Sequence, residues 1–568
     1  MKKIINGLLA VGGLLLAVSC ADYNDLGGFT AEPDPTYKLD YTDLNAVKSY
    51  INKAEYPNMT VDAAMNLKEF NKQAFEHAVA ITNFEGVAFG SSFMPANYVS
   101  KKGYMNFMDL KEALGHVSEV GCNVHGSPIV GNEQQSDDWF GALTAPIEIQ
   151  VLPINDVDVD YSTMDEFTGT YKGTAKPSIV KDYDSKGNVL RLAKRSKVYI
   201  VEGFDLDPLG FYTITFTVRS DESYKDDQNI RCTFADSLIN TGKDKEGNLI
   251  PKQYTVRPGA WQTVKVEWVP AKEATQGYLM VEGNLNTVLY IRNVHVEHTP
   301  DNHRPQTKQE MNDTIRYALN KWCDGLMEAN AGRIKTFDLI EKPLDSKALL
   351  DGVTYEGENV LDLKHSDTNI FWQDYLETET KSGSELYGAI VSKEARDAFV
   401  KHGGNAEELK FFINETGLEN QQRLASLKYW IKKWEDNGAQ IDGINAELNL
   451  TYVENADNET AVNTLLDNLA STGKIIRLYN FDVKYQDADG VAVTAEKITN
   501  EQRQKLADFH AFVIKAYMTK ISKEKQAGIC KGNIFDSSDP VGLWSKAANG
   551  DWLRNATYEA FCKALSGK

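Results

Sequence analysis

Three stretches decide how this chain folds: Phe337-Asp338-Leu339-Ile340-Glu341-Lys342-Pro343, Ile441-Asp442-Gly443-Ile444 and Arg477-Leu478-Tyr479-Asn480-Phe481-Asp482-Val483. Each follows an amphipathic helix pattern and a glycine. Before the first, Ile315, Leu319, Trp322 and Leu326 recur at helical spacing, Gly332 stops the helix, and Ile334 to Ile340 reads as a strand. Before the second, the stripe is Leu424, Leu427, Ile431 and Trp434, ended by Gly438 and followed by Ile441 to Leu448. Before the third it is Val462, Leu465, Leu466 and Leu469, ended by Gly473 and followed by Lys474 to Val483. Repeated helix–glycine–strand units of this size indicate parallel strands joined by crossover helices. Eight of them would close a barrel. The expected fold class is therefore α/β: a (β/α)8 TIM barrel interrupted by an inserted all-β sandwich. Functional side chains are expected where the strands end.

The interruption shows as a change of texture between about residues 146 and 300. Phe211 to Val218, Trp261 to Val269 and Leu289 to Val296 alternate in period two and are rich in β-branched and aromatic residues. Turn-forming pieces such as Asp184-Ser185-Lys186-Gly187-Asn188 separate them. Short strands and turns over this length suggest a sandwich. The expected organisation is a signal segment at 1–20, a tether at 21–40, a first barrel part at 41–145, the sandwich at 146–300 and a second barrel part at 301–568.

The chain has 568 residues, more than one compact core holds, and a net charge of −20. That charge argues against nucleic acid as a partner, because phosphate binding needs clustered Lys and Arg. At the start, Lys2 and Lys3 precede a short apolar run from Ile4 to Val18, which ends at Ala17-Val18-Ser19-Cys20. The run is too short to span a bilayer comfortably and reads as a signal segment. Its end resembles a bacterial lipobox, which makes Cys20 the lipidated first residue of the mature protein. The acidic Ala21-Asp22-Tyr23-Asn24-Asp25 then resembles a surface-export signal of Bacteroidota lipoproteins. The remaining cysteines, Cys122, Cys232, Cys323, Cys530 and Cys562, are odd in number and lack a CxxC pair, so they are expected as small buried residues and not as a disulfide or zinc framework.

The outer segments resemble glycoside hydrolase family 10, the endo-β-1,4-xylanases, along most of residues 80–145 and 301–568. Asp338-Leu339-Ile340-Glu341-Lys342-Pro343 resembles the family's Asp-Val-Val-Asn-Glu-Pro, which puts Lys342 in the place of the acid/base glutamate. Leu478 to Val483 resembles Ile-Thr-Glu-Leu-Asp-Val, which puts Asn480 in the nucleophile's place. Ile441-Asp442-Gly443-Ile444 matches the family string directly, with Glu447 and Asn449 where a Gln and a His follow. Phe411 to Glu419 resembles the strand ending Asn-Asp-Tyr-Asn-Leu-Glu. Val124 to Gln135 resembles Val-Tyr-Gly-His-Thr-Leu-Cys-Trp-His-Ser-Gln-Gln, so the sugar-gripping histidines and tryptophan become Ser127, Asn132 and Gly131. Pro95 to Ser100 keeps Asn97 of its motif but has Ala96 and Ser100 for the Glu and Lys. The sandwich resembles carbohydrate-binding modules of the family 4/22 type, and its insertion resembles xylanases of gut Bacteroidota.

The resemblance implies a glycan cleft containing Asn97, Ser127, Asn132, Asn414, Asn449, Tyr479 and Trp544, with xylan or a related polysaccharide as ligand and no cofactor. A retaining glycosidase needs two carboxylates about 5–5.5 Å apart. An amide at Asn480 cannot form a glycosyl ester, and a lysine with a reference pKa of about 10.4 is a poor acid/base catalyst near neutrality. The expectation is a non-catalytic glycan-binding lipoprotein at the outer membrane. Two alternatives stand beside it. One is a hydrolase with relocated carboxylates drawn from Glu341, Glu415 and Glu447, with Asp482 nearby. The other is a structural subunit of an outer-membrane glycan-uptake complex with a transporter. In the sandwich, Tyr161, Tyr171, Tyr183, Tyr254 and Tyr278 are candidate sugar platforms, while Trp261 and Trp268 are read as core. The acidic run Asn155 to Asp160 is a possible structural calcium site, and His295, His298 and His303 read as a solvated linker.

Overall fold

A computed structural model describes residues 41–283 and 286–567. The signal segment, Cys20 and the tether lie outside the described residues. The described residues divide into two compact units, one within 41–143 and 310–567, the other within 144–309.

The first unit is a barrel. Its strands are β1 (Thr60–Ala64), β2 (Gly86–Ala88), β3 (Asn123–His125), β4 (Thr336–Glu341), β5 (Lys410–Thr416), β6 (Gly443–Val453), β7 (Ile475–Gln486) and β8 (Gln526–Lys531). β1 to β3 and β4 to β8 pair in parallel in order, β8 pairs with β1, and a bridge from Gly126 to Phe337 joins the two runs, so among the described residues eight strands form a closed ring. The seam between β3 and β4 is made by Gly126 and the short extension Val130–Gly131. There the Gly126 amide donates to Thr336 O at 2.7 Å and the Asp338 amide donates to Gly126 O at 3.1 Å. A side chain at Gly126 would meet the Phe337 ring at 2.3 Å, so the seam closes only around a glycine.

Helices α1 (Phe75–Asn83), α2 (Met108–Val120), α3 (Lys308–Asn330), α4 (Gly383–Lys401), α5 (Gln421–Asp436), α6 (Glu459–Ser471), α7 (Asn500–Lys520) and α8 (Ala556–Leu565) alternate with the strands. The helical stripes predicted from sequence are their buried faces: Ile315, Leu319, Trp322 and Leu326 on α3, Leu424, Leu427, Ile431 and Trp434 on α5, and Val462, Leu465, Leu466 and Leu469 on α6. Capping boxes start α4 at Ser382 with Glu385 and α7 at Thr499 with Gln502, satisfying amides that a helix start leaves orphaned. No helix of the described residues is long and apolar enough to cross a membrane.

The second unit has two six-stranded sheets that share one apolar core including Ile200, Tyr212, Phe216, Cys232, Phe234, Val266 and Val296. Its pairings are antiparallel throughout the long strands Ser196–Phe204, Phe211–Ser220, Gln262–Trp268, Gly277–Gly283 and Leu289–Thr299. Its ends are tied by the pairing of Ile147–Glu148 with His303–Arg304, which carries the unit a few residues past the boundary at 300 set from sequence. The five described cysteines are free thiols, four of them buried.

Candidate functional site

The strands bring the sequence motifs together at the C-terminal end of the barrel. β4 ends with Glu341 and then Lys342, whose backbone has turned left-handed at φ 43°. The Lys342 amide donates to Asn414 O at 2.8 Å, tying that turn to β5. On β7 the register against β6 slips between the pairs Glu447–Tyr479 and Asn449–Asp482. The slip is a bulge, and Asn480 sits in it at φ 51°. Asparagine tolerates this region better than most side chains.

Lys342 and Asn480 converge on one carboxylate. Lys342 Nζ stands 2.7 Å from Glu447 Oε2, and Asn480 Nδ2 donates to Glu447 Oε1 at 3.4 Å. Burial pulls the Lys342 ammonium towards neutrality, but the Glu447 hydrogen bond and charge outweigh it and hold its pKa above the ordinary lysine value. The lysine is thus charged at neutral pH and is paired with the Glu447 carboxyl group. Glu341 is different. Desolvation is the main influence on its carboxyl; Lys342 opposes it, while Asp338, Glu133 and Glu447 reinforce it, and the result is a pKa pushed up to about 7.

Below them a buried polar layer holds the strands. Asp338 accepts from His125 Nε2 at 3.0 Å and from Asn445 Nδ2 at 2.8 Å. Asp482 is buried against the Lys531 ammonium and the Asn533 amide, and Lys531 Nζ also donates to Phe481 O at 2.9 Å. Asp482 was weighed from sequence as a nearby carboxylate, whereas His125, Asn445, Lys531 and Asn533 were not singled out. The signal that could have found them is a polar residue at an inward position of an otherwise apolar strand.

The expected cleft residues separate into two groups. Asn414, Ser127 and Asn132 each carry a buried polar atom with no hydrogen-bond partner: Asn414 Oδ1, Ser127 Oγ and Asn132 Nδ2. Asn132 Oδ1 accepts from Gln373 Nε2 at 3.1 Å, a partner that sequence reasoning missed. Gly131 lies beside Glu341, its missing side chain 3.4 Å from Glu341 Oε2. Asn449 is exposed, and Tyr479 is half-buried, its hydroxyl beside Gly90. Asn97 is exposed, and its amide donates to Ser91 O and Ser92 O at 3.3 Å. Ala96 and Ser100 are exposed nearby.

Two expectations need correction. Trp544 is only 6% exposed and packs against Phe535 and Tyr558, so it is a core residue and not a sugar platform. Glu415 is fully buried; it pairs with Arg423 at 2.8 Å and accepts from the amides of Thr416 and Leu344, which removes it from the candidate catalytic set.

In the second unit the candidate platforms also divide. Tyr161 and Tyr254 are buried, Tyr183 and Tyr278 are half-buried, and Tyr171 is exposed. Trp261, read as core, is half-buried, with the Arg292 guanidinium 4.3 Å from its ring centre and Tyr183 edge-on. In the acidic run, Asp158 pairs with His295 at 2.7 Å and Asp156 with His298 at 2.8 Å. Carboxylates spent on imidazoles are poorly placed to ligate calcium, and the histidines are strand residues with acid partners, not a linker cluster. Among the described residues no group of three or more His, Cys, Asp or Glu side chains is placed to hold a metal.

Comparison with known proteins agrees with the barrel reading. Residues 294–537 match the model of glycosyl hydrolase family 10. This stretch is similar to family 10 domains. It contains β4 to β8 of the barrel, and with them Lys342, Glu447 and Asn480. A comparison with curated proteins finds no match. Solved structures similar to the chain include the intracellular xylanase TsXylA of Thermoanaerobacterium saccharolyticum, at 10% identity and TM-score 0.48, covering 92% of this chain and 99% of that one. Xylanase B of Clostridium stercorarium matches at 10% identity and TM-score 0.49, covering 91% and 99%. A family 10 protein of Paenibacillus barcinonensis matches at 9% identity and TM-score 0.49, covering 90% and 96%.

Proposed function

We propose that this chain is a cell-surface lipoprotein, anchored through Cys20, whose family 10 domain binds a polysaccharide without cutting it and presents it for uptake through an outer-membrane transporter. The ligand class is xylan or a related neutral glycan, in keeping with the family. One observation carries the reading: Lys342 and Asn480, which the motif resemblance aligns with the two family carboxylates, are both bonded to Glu447. An ammonium and an amide locked onto a carboxylate supply hydrogen bonds for hydroxyl groups but no nucleophile for an anomeric carbon. Affinity electrophoresis of the full chain against soluble plant and host glycans tests it. Retardation by at least one glycan with no new reducing ends is the expected result, and no retardation by any sinks it.

A second reading is favoured by Glu341. A carboxyl poised near pH 7 is suited to general acid work, and Glu447 would then have to act as its charged counterpart. This reading predicts release of reducing ends from a glycan and loss of that release in Glu341→Gln.

A further inference from the structure

The barrel has a second opening at the N-terminal ends of its strands, the end opposite the Lys342–Glu447 pair. A cavity of about 560 Å³ enters there. Its lining includes residues two apart on several strands: Thr60 and Asp62 on β1, Asn123 and His125 on β3, Lys410 and Phe412 on β5, Ile475 and Arg477 on β7. These are inward-facing positions, which in such barrels are usually filled by branched aliphatic side chains. Here polar groups stand in several of them, and they are incompletely satisfied.

Arg477 is 2% exposed and Asp62 4% exposed. Arg477 Nη2 donates to Asp62 Oδ2 at 2.7 Å. That single bond leaves Arg477 Nη1 and Asp62 Oδ1 buried with no hydrogen-bond partner, and Gln526 Oε1 beside them is in the same state. Buried polar atoms of this kind cost free energy unless something binds them. At the rim stand Arg333, Lys335 and Lys410, all exposed, with Glu524 as the one rim carboxylate. Lys335 is held by Glu408, whereas Arg333 and Lys410 have no ion pair among the described residues. Burial, then the Arg477 charge, keeps His125 below its ordinary pKa, so it adds no positive charge at neutral pH. In a chain of net charge −20, a mouth with four cations against the three carboxylates Asp62, Glu524 and Glu408 is locally positive.

The donor set specifies a ligand. Arg477 Nη1 and the rim cations call for a carboxylate, and the acceptors Asp62 Oδ1 and Gln526 Oε1 call for hydroxyl groups. We propose that this N-terminal cavity binds a small hydroxylated carboxylate, of sugar-acid size or smaller, at a site separate from the glycan cleft.

The test is isothermal titration of the full chain with D-glucuronate, with D-glucose and acetate as probes carrying only the hydroxyl or only the carboxylate half. Saturable one-to-one binding of D-glucuronate is expected, with both half-probes weaker. Lys410→Ala and Arg333→Ala, exposed positions whose loss leaves the barrel intact, should each weaken binding by about tenfold, the scale of one charge-assisted contact. Glycan retardation by the Lys410→Ala protein should be unchanged. Absence of saturable binding means that the cavity holds water only and overturns the proposal. So does binding that is equal for D-glucose, or that neither rim substitution weakens.

Discussion

Glu341 makes the stability of the barrel depend on pH in an unusual direction. Its carboxyl is pushed up to about 7 from the ordinary glutamate value of 4.5, chiefly by desolvation. The native state therefore keeps a proton that the unfolded chain has already released between those two values. Stability falls as pH rises through this window, because the unfolded state binds fewer protons than the native one. The gap corresponds to about 3 kcal/mol once the pH exceeds 7. Glu341→Gln removes the charge while keeping the shape. The variant should match the parent near pH 4.5 and exceed it by up to about 3 kcal/mol at pH 8. Urea unfolding of both proteins at a series of pH values, followed by tryptophan fluorescence, measures this. A difference that is constant with pH, or that shrinks as pH rises, would refute the assignment of Glu341 as a desolvated acid. Lys342→Met in the same series should move the window higher, since Lys342 is the one neighbour that favours the charged form.

Further outcomes follow from the same geometry. A double-mutant cycle on Lys342→Met and Glu447→Gln should give a coupling of about 1–2 kcal/mol, between the values for exposed and buried pairs, because both side chains are only partly exposed; a coupling near zero removes the pair from the account. Lys342→Glu with Asn480→Glu should not yield a xylanase, since it leaves Glu447 facing two added carboxylates and puts glutamates at two left-handed positions; reducing-end release from xylan by this variant would contradict that. Trp544→Ala should lower stability by roughly 3–5 kcal/mol while protein that remains folded binds glycan as before, which melting and affinity electrophoresis together check. Gly388→Ala within α4 would ordinarily favour the helix, but its new methyl would meet Trp434 Cγ at 2.5 Å, so a net loss of about 1–2 kcal/mol is expected in denaturant unfolding.

How much was legible in the sequence follows from range. The stripes on α3, α5 and α6 and the strands that follow them are local patterns, because a helix face and a strand are each set within a dozen residues. Lys342 and Asn480 stood out because they sit inside strings whose neighbours match the family. The failures had another origin. Trp544 and Glu415 have the chemistry of cleft residues, yet one is packed between two aromatic rings and the other is bound to Arg423. The His125–Asp338–Asn445 and Asp482–Lys531 contacts join residues from different strands, and nothing in the local pattern announces such partners.

By itself, then, the sequence determined the repeating helix–strand units, the all-β interruption and the presence of Lys342 and Asn480 within family-like strings, since hydrophobic periodicity and residue identity are properties of short stretches. Only the tertiary structure decided that Lys342 and Asn480 meet on Glu447, that Glu341 is left with a proton to hold, and that Arg477 and Asp62 face a cavity at the other end. Those facts depend on which strands close next to each other in the barrel and on how much water reaches the charges between them.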